Sequence, residues 1–275
     1  MKVGAALHIY WDDKRKGLEY VSVLNELAEM GFYSAEFLCD SGFYPMWGTE
    51  KVFSETRKIK KIIDRLGIKA TIHAPHYDFN IATNNSGLMD EMVKQVKDCV
   101  RVAEILGSDI VVLHPGRISS KKFPRDLVLE RAIEFLSGVE SFAGGKNVKI
   151  CLENETLSTK SLCSLPEEMK YVIDAVDSKN VRVCLDIAHV NTTKKPLSEF
   201  LRLLKKQIYH IHISDNVGDS HHLPIGKGNI DFKKTIRELE PYSGILNIEG
   251  WVTDGRRENL EKGRKYLLAL MKQQK

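Results

Sequence analysis

Two apolar periods take turns along the chain. The segment Val3–Ile9 is short and apolar, as a strand would be. Leu18, Val21, Leu24, Leu27 and Ala28 then recur at helical spacing until Gly31 stops them. Ser34–Leu38 reads as a second strand, a loop of turn formers and aromatics follows, and the helical pattern Lys51–Leu66 ends at Gly67. Strand Ile68–His73 runs into the loop HAPHYDFNIATNN, after which Met92, Val93, Val96, Val100, Ala103 and Leu106 mark a helix closed by Gly107. Asp109–His114 is a continuous apolar run stopped by Pro115 and Gly116, the pattern of a strand buried on both faces of a parallel sheet. The rhythm continues through helix Asp126–Phe142, strand Val148–Glu153, helix Pro166–Val176, strand Val181–Asp186, helix Leu197–Lys205 and strand Ile208–Ile213. Helix Phe232–Leu239, strand Ile245–Glu249 and a last helix carrying Leu260, Leu267, Leu270 and Met271 complete it.

Eight strand–helix units without a Pro/Ser-rich linker predict an α/β fold. The expected architecture is a (β/α)8 TIM barrel, with residues 1–275 as a single domain. An open doubly wound sheet is the competitor, because strand order is invisible in the pattern. Composition changes little. A net charge of +4 is too mild to imply nucleic acid or a membrane surface as partner. The five cysteines form no CxxC pair, which points to reduced thiols in a cytoplasmic compartment. No signal-peptide pattern opens the chain, and no apolar run approaches the ~18–20 residues of a membrane span. Assembly into a homo-oligomer is compatible with all of this.

Chemistry gathers at the strand ends. The residues at or near the C-terminal ends of successive strands are His8, Glu36, His73, His114, Glu153, Asp186, His212 and Glu249. In a barrel those ends share one mouth. An ordinary core would place Val, Ile, Leu or Gly there, and carboxylates buried together without cations repel one another and lose hydration. A divalent metal removes that cost. Mixed histidine and carboxylate donors suit Zn2+, Mn2+, Co2+ or Mg2+, and the absence of Cys at these ends disfavours a thiolate site. The segment Gln207–Asp231 alone holds four of the nine histidines. His210 is read as a core histidine turned away from His212 toward the helical layer.

The strings TIHAP (Thr71–Pro75), LHPG (Leu113–Gly116), LENE (Leu152–Glu155), CLDIAH (Cys184–His189), HISDN (His212–Asn216), HLPIGKGNIDF (His222–Phe232) and IEGW (Ile248–Trp251) together resemble the xylose-isomerase-like barrel superfamily. That superfamily holds sugar isomerases and epimerases as well as endonuclease-IV-type apurinic/apyrimidinic endonucleases. The resemblance runs strand by strand over nearly the whole chain. It implies that Glu153, Asp186, His212 and Glu249 hold a principal metal. It also implies that His73 and His114 bind a second metal with Glu153 bridging, or else contact substrate. His189, with Asp219 and either His221 or His222, is implied as a third metal site or as a substrate contact. Counting back from Gly226 favours His222; the Asp-x-His pattern favours His221.

Two functions fit such a mouth. The first is a divalent-metal-dependent sugar or sugar phosphate isomerase or epimerase working through a metal-stabilised enediolate. Glu153 and Glu249 act there as the acid/base pair on opposite faces of the carbon, and His189 holds substrate oxygens. His8 and Glu36 are read as substrate or supporting contacts. Trp251 is a candidate to stack on a sugar, as are Phe43, Tyr44, Trp47 and Tyr77. A phosphate has a candidate seat on Gly226–Gly228 and the next helix N-terminus, near Lys227. The alternative is hydrolysis of abasic DNA at a multinuclear zinc site, with nucleic acid as partner. Three departures from the endonuclease pattern weigh against it: CLDIAH for Cys-Leu-Asp-Thr-Cys-His, HISDN for His-x-Asn-Asp-Ser-Lys, and an extra residue between His73 and Tyr77. A metal-free binding scaffold is the third reading, disfavoured because every ligand position is filled. The run Lys14, Arg15, Lys16 reads as a solvated face.

Overall fold

Eight parallel strands close on themselves in sequence order in the computed structural model, which describes residues 1–10, 19–250 and 255–273. They are β1 (Lys2–Ala6), β2 (Ser34–Leu38), β3 (Lys69–His73), β4 (Ile110–Leu113), β5 (Lys149–Glu153), β6 (Val181–Asp186), β7 (Ile208–Ile213) and β8 (Ile245–Ile248). The closure is the β1–β8 pairing, in register Lys2↔Ile245 and Val3↔Leu246, and it excludes an open sheet. The helices α1 (Tyr20–Glu29), α2 (Val52–Leu66), α3 (Ser86–Leu106), α4 (Arg125–Gly144), α5 (Pro166–Val176), α6 (Ile187–Thr192), α7 (Leu197–Leu204), α8 (Phe232–Glu238) and α9 (Arg256–Lys272) follow the strands. Among the described residues no helix is long and apolar enough to cross a membrane.

Local chemistry explains most of these boundaries. Gly67 and Gly107 end α2 and α3 at φ 69° and 74°, a left-handed cap that a side chain would resist. Asn85 starts α3 by accepting the Leu88 N–H, so that helix begins well before its apolar periodicity becomes visible. Two elements differ from the pattern-based reading. The first strand stops at Ala6, and Leu7–Tyr10 forms a 3-10 turn carrying His8. A short helix, α6, follows β6 directly, capped by the Asp186 side chain accepting the His189 N–H.

The main apolar core lies between the strands and the helical layer. Inside the barrel a second, smaller cluster of Ile110, Val112, Cys151 and Cys184 fills the β4–β6 side. The opposite side of the interior is polar: Glu36, Thr71, His210 and Asn247 are all buried there. His210 therefore does not face the helices. Residues two apart on a strand share a face, so His210 points inward with His212, and its Nε2 lies 3.1 Å from Glu36 Oε2. All five cysteines are buried free thiols.

Candidate metal centre

Parallel strands place their C-terminal residues at one rim, and four elements there converge. Glu153 ends β5, Asp186 ends β6, His212 lies near the end of β7, and Glu249 follows β8. Ligand-capable atoms of these four lie within 4.8 Å of one another, and all four side chains are buried. His212 Nδ1 stands 3.1 Å from Glu153 Oε1 and 3.1 Å from Glu249 Oε2, while its Nε2 faces Glu36 Oε1 at 3.0 Å. Asp186 spends one oxygen on the α6 cap, bonding the His189 N–H at 2.6 Å. Its other oxygen, Oδ2, and Glu153 Oε2 are buried without a hydrogen-bond partner. Buried carboxylate oxygens left without a partner are costly unless a cation satisfies them, so the donor set fits a divalent ion.

Two further groups adjoin this one. His73, His114 and Glu153 form the first, with Glu153 Oε2 3.5 Å from His73 Nε2 and 3.4 Å from His114 Nε2. Asp186, His189 and His222 form the second, with His189 Nε2 3.1 Å from His222 Nε2. Each ring is anchored by its other nitrogen, which selects the tautomer. His73 Nδ1 donates to the Ala74 carbonyl at 2.7 Å, and His189 Nδ1 to the Asn154 carbonyl at 2.6 Å. His114 Nδ1 meets Glu155 at 2.5 Å, and His222 Nδ1 meets Ser214 Oγ at 2.9 Å.

The charges are strongly coupled. Burial pushes the Glu153 carboxyl up, but the His212 and His114 charges override it and hold it well below the usual range. Glu249 is likewise opposed by burial and drawn down to about 2 by His212. Burial opposes protonation of His114, yet Glu155 and Glu153 raise it to about 9. Burial raises Asp186, the one carboxylate of the three in the principal group whose protonated form gains. The charge on His114, then burial, lowers His76 to about 3.

The groups open into a cavity of about 460 Å³, within the range of small-molecule sites. His8, Leu38, His76, Tyr77, Glu155, Thr156, His221, His222 and Leu223 share its wall with His73, His114, Glu153, His189 and Glu249. His8 thus reaches the cavity, with burial lowering its pKa to about 4. Glu36 does not: it is fully buried and absent from the wall of this cavity.

The loop after β7 places its two histidines differently, and its glycine turn differs from the expected phosphate seat. His222 turns inward against His189, whereas Asp219 and His221 pair with each other at 2.9 Å on the exposed rim and join none of the ligand groups. The expected phosphate seat is already filled. Asp215, buried, accepts the N–H groups of Gly226 at 3.0 Å, Gly228 at 2.8 Å and Ile230 at 3.1 Å. The α8 N-terminus is capped by Asp231, which accepts the Lys234 N–H. Both sets of amides are satisfied by the chain's own carboxylates.

Of the loop aromatics, Tyr77 lines the cavity and stacks on Phe43, with ring centroids 5.5 Å apart. Tyr44 instead packs on Phe37 and Trp47 and bonds Thr56, away from the mouth. Trp251 and the run Lys14, Arg15, Lys16 lie outside the described residues. Sequence reasoning assigned nothing to His76, Glu155 or Ser214. The strings HAPH and LENE contain the first two, but only the packed geometry shows His76 against His114, ring centroids 4.3 Å apart, and Glu155 holding His114.

Residues 24–270 match the family described as the xylose isomerase-like TIM barrel, and the chain belongs to it. It is 32% identical over 236 residues to an uncharacterised protein of Methanocaldococcus jannaschii, covering 83% of this chain and 78% of that one. It is 28% identical over 207 residues to the probable endonuclease 4 of Mycoplasmoides gallisepticum, covering 69% and 67%. Among solved structures, a D-tagatose 3-epimerase-like protein superposes with a TM-score of 0.84 at 26% identity, covering 99% of this chain and 97% of that one. A D-psicose 3-epimerase from Clostridium cellulolyticum H10 gives 0.82 at 18% identity, covering 99% of both chains, a likeness of fold alone.

Proposed function

We propose that this chain is a divalent-metal-dependent epimerase or isomerase of a small, unphosphorylated ketose, with Glu153 and Glu249 as its acid/base pair. The observation that carries this reading is the four-residue group itself: two glutamates from β5 and from the end of β8 meet His212 at 3.1 Å each and open into one small cavity. Glu153, Asp186, His212 and Glu249 would hold the ion. A divalent cation there supplies Lewis acidity toward a carbonyl and its neighbouring hydroxyl. The chain's own residues do the rest. One glutamate removes the proton from the carbon beside the carbonyl, and the other delivers a proton to the opposite face. His189 and His222 face the same cavity and are placed to hold substrate hydroxyls. Both glutamates are held ionised, so the first proton removed has an acceptor at neutral pH, and the opposite glutamate must take up a proton from solvent or a substrate hydroxyl before it delivers one.

Substrate class follows from what surrounds the group. Among the described residues no Lys or Arg lines the cavity, and the glycine turn that could receive a phosphate is occupied by Asp215. A neutral polyol needs neither. The epimerase-like relative at 26% identity supports the same choice.

A second reading has its own support. The principal group shares Glu153 with the His73–His114 group and Asp186 with the His189–His222 group, as a multinuclear phosphodiesterase would require, and several relatives carry the name probable endonuclease 4. One experiment separates the two. Purified protein with Mn2+, Co2+ or Mg2+ is assayed for interconversion of free ketoses and, in parallel, for nicking of abasic duplex DNA. Ketose turnover without nicking is expected; nicking without sugar turnover overturns the proposal in favour of the nuclease.

A further inference from the structure

The five histidines around the principal and adjoining groups each need one nitrogen tied down for the other to serve. For His73, His114, His189 and His222 the anchor is a neighbouring backbone carbonyl, a rim carboxylate or the Ser214 hydroxyl. His212 is the exception: its site-facing nitrogen is Nδ1, so its anchor must lie below, inside the barrel. We propose that Glu36 is that anchor, a positioning residue on β2 that holds His212 as the Nε2–H tautomer with Nδ1 presented to Glu153 and Glu249. This rests on the metal reading above.

Glu36 cannot act by touching substrate, because it is fully buried and does not line the cavity of the site. Its Oε2 is met by Thr71 Oγ1 at 3.0 Å and His210 Nε2 at 3.1 Å, and its Oε1 by Asn247 Nδ2 at 3.0 Å and His212 Nε2 at 3.0 Å. Three hydrogen-bond partners and the nearby His212 ring surround the carboxylate. An ionised carboxylate only accepts, so both imidazoles must turn an N–H toward it. For His210 this leaves Nδ1 as a bare lone pair, in keeping with its lack of any partner. For His212 the 3.0 Å contact with Glu36 Oε1 lacks hydrogen-bond alignment, so the anchoring bond belongs to the ion-loaded protein of the proposal.

The reach from β2 to β7 crosses two intervening strands, β1 and β8, and the sequence clears the way. Gly4 on β1 pairs with Ser34 and Asn247, and a Cβ there would lie 2.2 Å from Ser34 Oγ and 3.0 Å from Asn247 Oδ1. A side chain at position 4 would take the space through which Asn247 and Glu36 meet. The polar half of the barrel interior is thus built around one carboxylate whose outward neighbour is His212.

The test is ion binding, independent of turnover. Dissociation constants for Mn2+ are measured by electron paramagnetic resonance of the free ion, and for Zn2+ by competition with a chromophoric chelator, on wild type, E36Q, E36D and T71V. E36Q is expected to weaken binding by about 10–100-fold. T71V, which removes a partner from the oxygen not facing His212, is expected to stay within about twofold of wild type while losing thermal stability. Nitrogen-15 histidine spectra of the zinc-loaded wild type should show a proton on His212 Nε2, exchanging faster in E36Q. If E36Q fails to fold, E36D serves: it keeps the charge but falls a methylene short of His212, and weaker binding is again expected. Unchanged affinity and an unchanged His212 signal in the Glu36 variant overturn this proposal alone. A wild type that binds no ion overturns the metal reading and this proposal with it.

Discussion

Asp215→Asn probes the loop that carries His222. The wild-type carboxylate uses Oδ2 for the N–H groups of Gly226 and Gly228, and Oδ1 for those of Asn216 and Ile230. Asparagine preserves the shape but replaces one oxygen by NH2, and either orientation turns amide hydrogens against two backbone donors. Two hydrogen bonds to a charged group, at about 1.5–3 kcal/mol each, are lost, so the change should cost about 3–6 kcal/mol. That is a large part of a total stability of about 5–15 kcal/mol. The loop can open locally and return its amides to water, so the global cost is at most this figure, and the local readout is the sharper one. Hydrogen exchange at Gly226, Gly228 and Ile230 should accelerate by about 10^2–10^4-fold in the variant, with a lower urea midpoint. Asp215→Ala adds a second arm. It leaves the amide nest unfilled, so sulfate or phosphate should stabilise this variant in a concentration-dependent way and leave wild type unaffected. Unchanged exchange at those three amides in Asp215→Asn would refute the claim that the carboxylate templates the loop.

Three further outcomes follow from the site. Glu153→Gln and Glu249→Gln should each lower turnover by at least about 10^2-fold, read as kcat under saturating ion; a variant retaining wild-type kcat removes that residue from the acid/base pair. His222→Ala should raise KM or lower kcat several-fold, while His221→Ala, at the exposed rim, should leave both within about twofold; the reverse ranking would show that the loop sits one residue out of the observed register. In metal-free protein His114 is raised from 6.5 to about 9, so its contribution to stability is present in full below about pH 6.5 and is lost as pH rises through about 9. Melting temperature in chelator should therefore fall over that window, less steeply in His114→Asn, and ion affinity should rise over the same window because binding displaces the proton. A wild-type melting temperature that climbs from pH 6.5 to 9 would contradict this.

Much of this architecture is written locally. Strand and helix periods, the glycine stops at Gly67 and Gly107, and the run of His, Asp and Glu at strand ends are properties of short windows, and a parallel barrel turns them directly into a mouth. Asp186, His212, Glu153 and Glu249 were visible on that basis among eight strand-end residues, and only the family resemblance set these four apart. What escaped depends on groups far apart in the chain. Glu36 and His210 are separated by 174 positions, and nothing near either residue announces that they share a hydrogen bond inside the barrel. Glu155 and His76 matter through His114, one holding it and the other packed on it, and each looks locally like a loop residue.

The β7–α8 loop marks the boundary most clearly. Its glycines and neighbouring lysine have the composition of an anion seat, and composition alone cannot say whether the anion comes from a ligand or from the chain. Folding brings Asp215 into that seat, because burying its charge is tolerable only where several N–H groups converge on it. The same turn sets which of two adjacent histidines points inward. Side-chain type and order limited the answer to His221 or His222; the path of the backbone around a buried carboxylate chose between them.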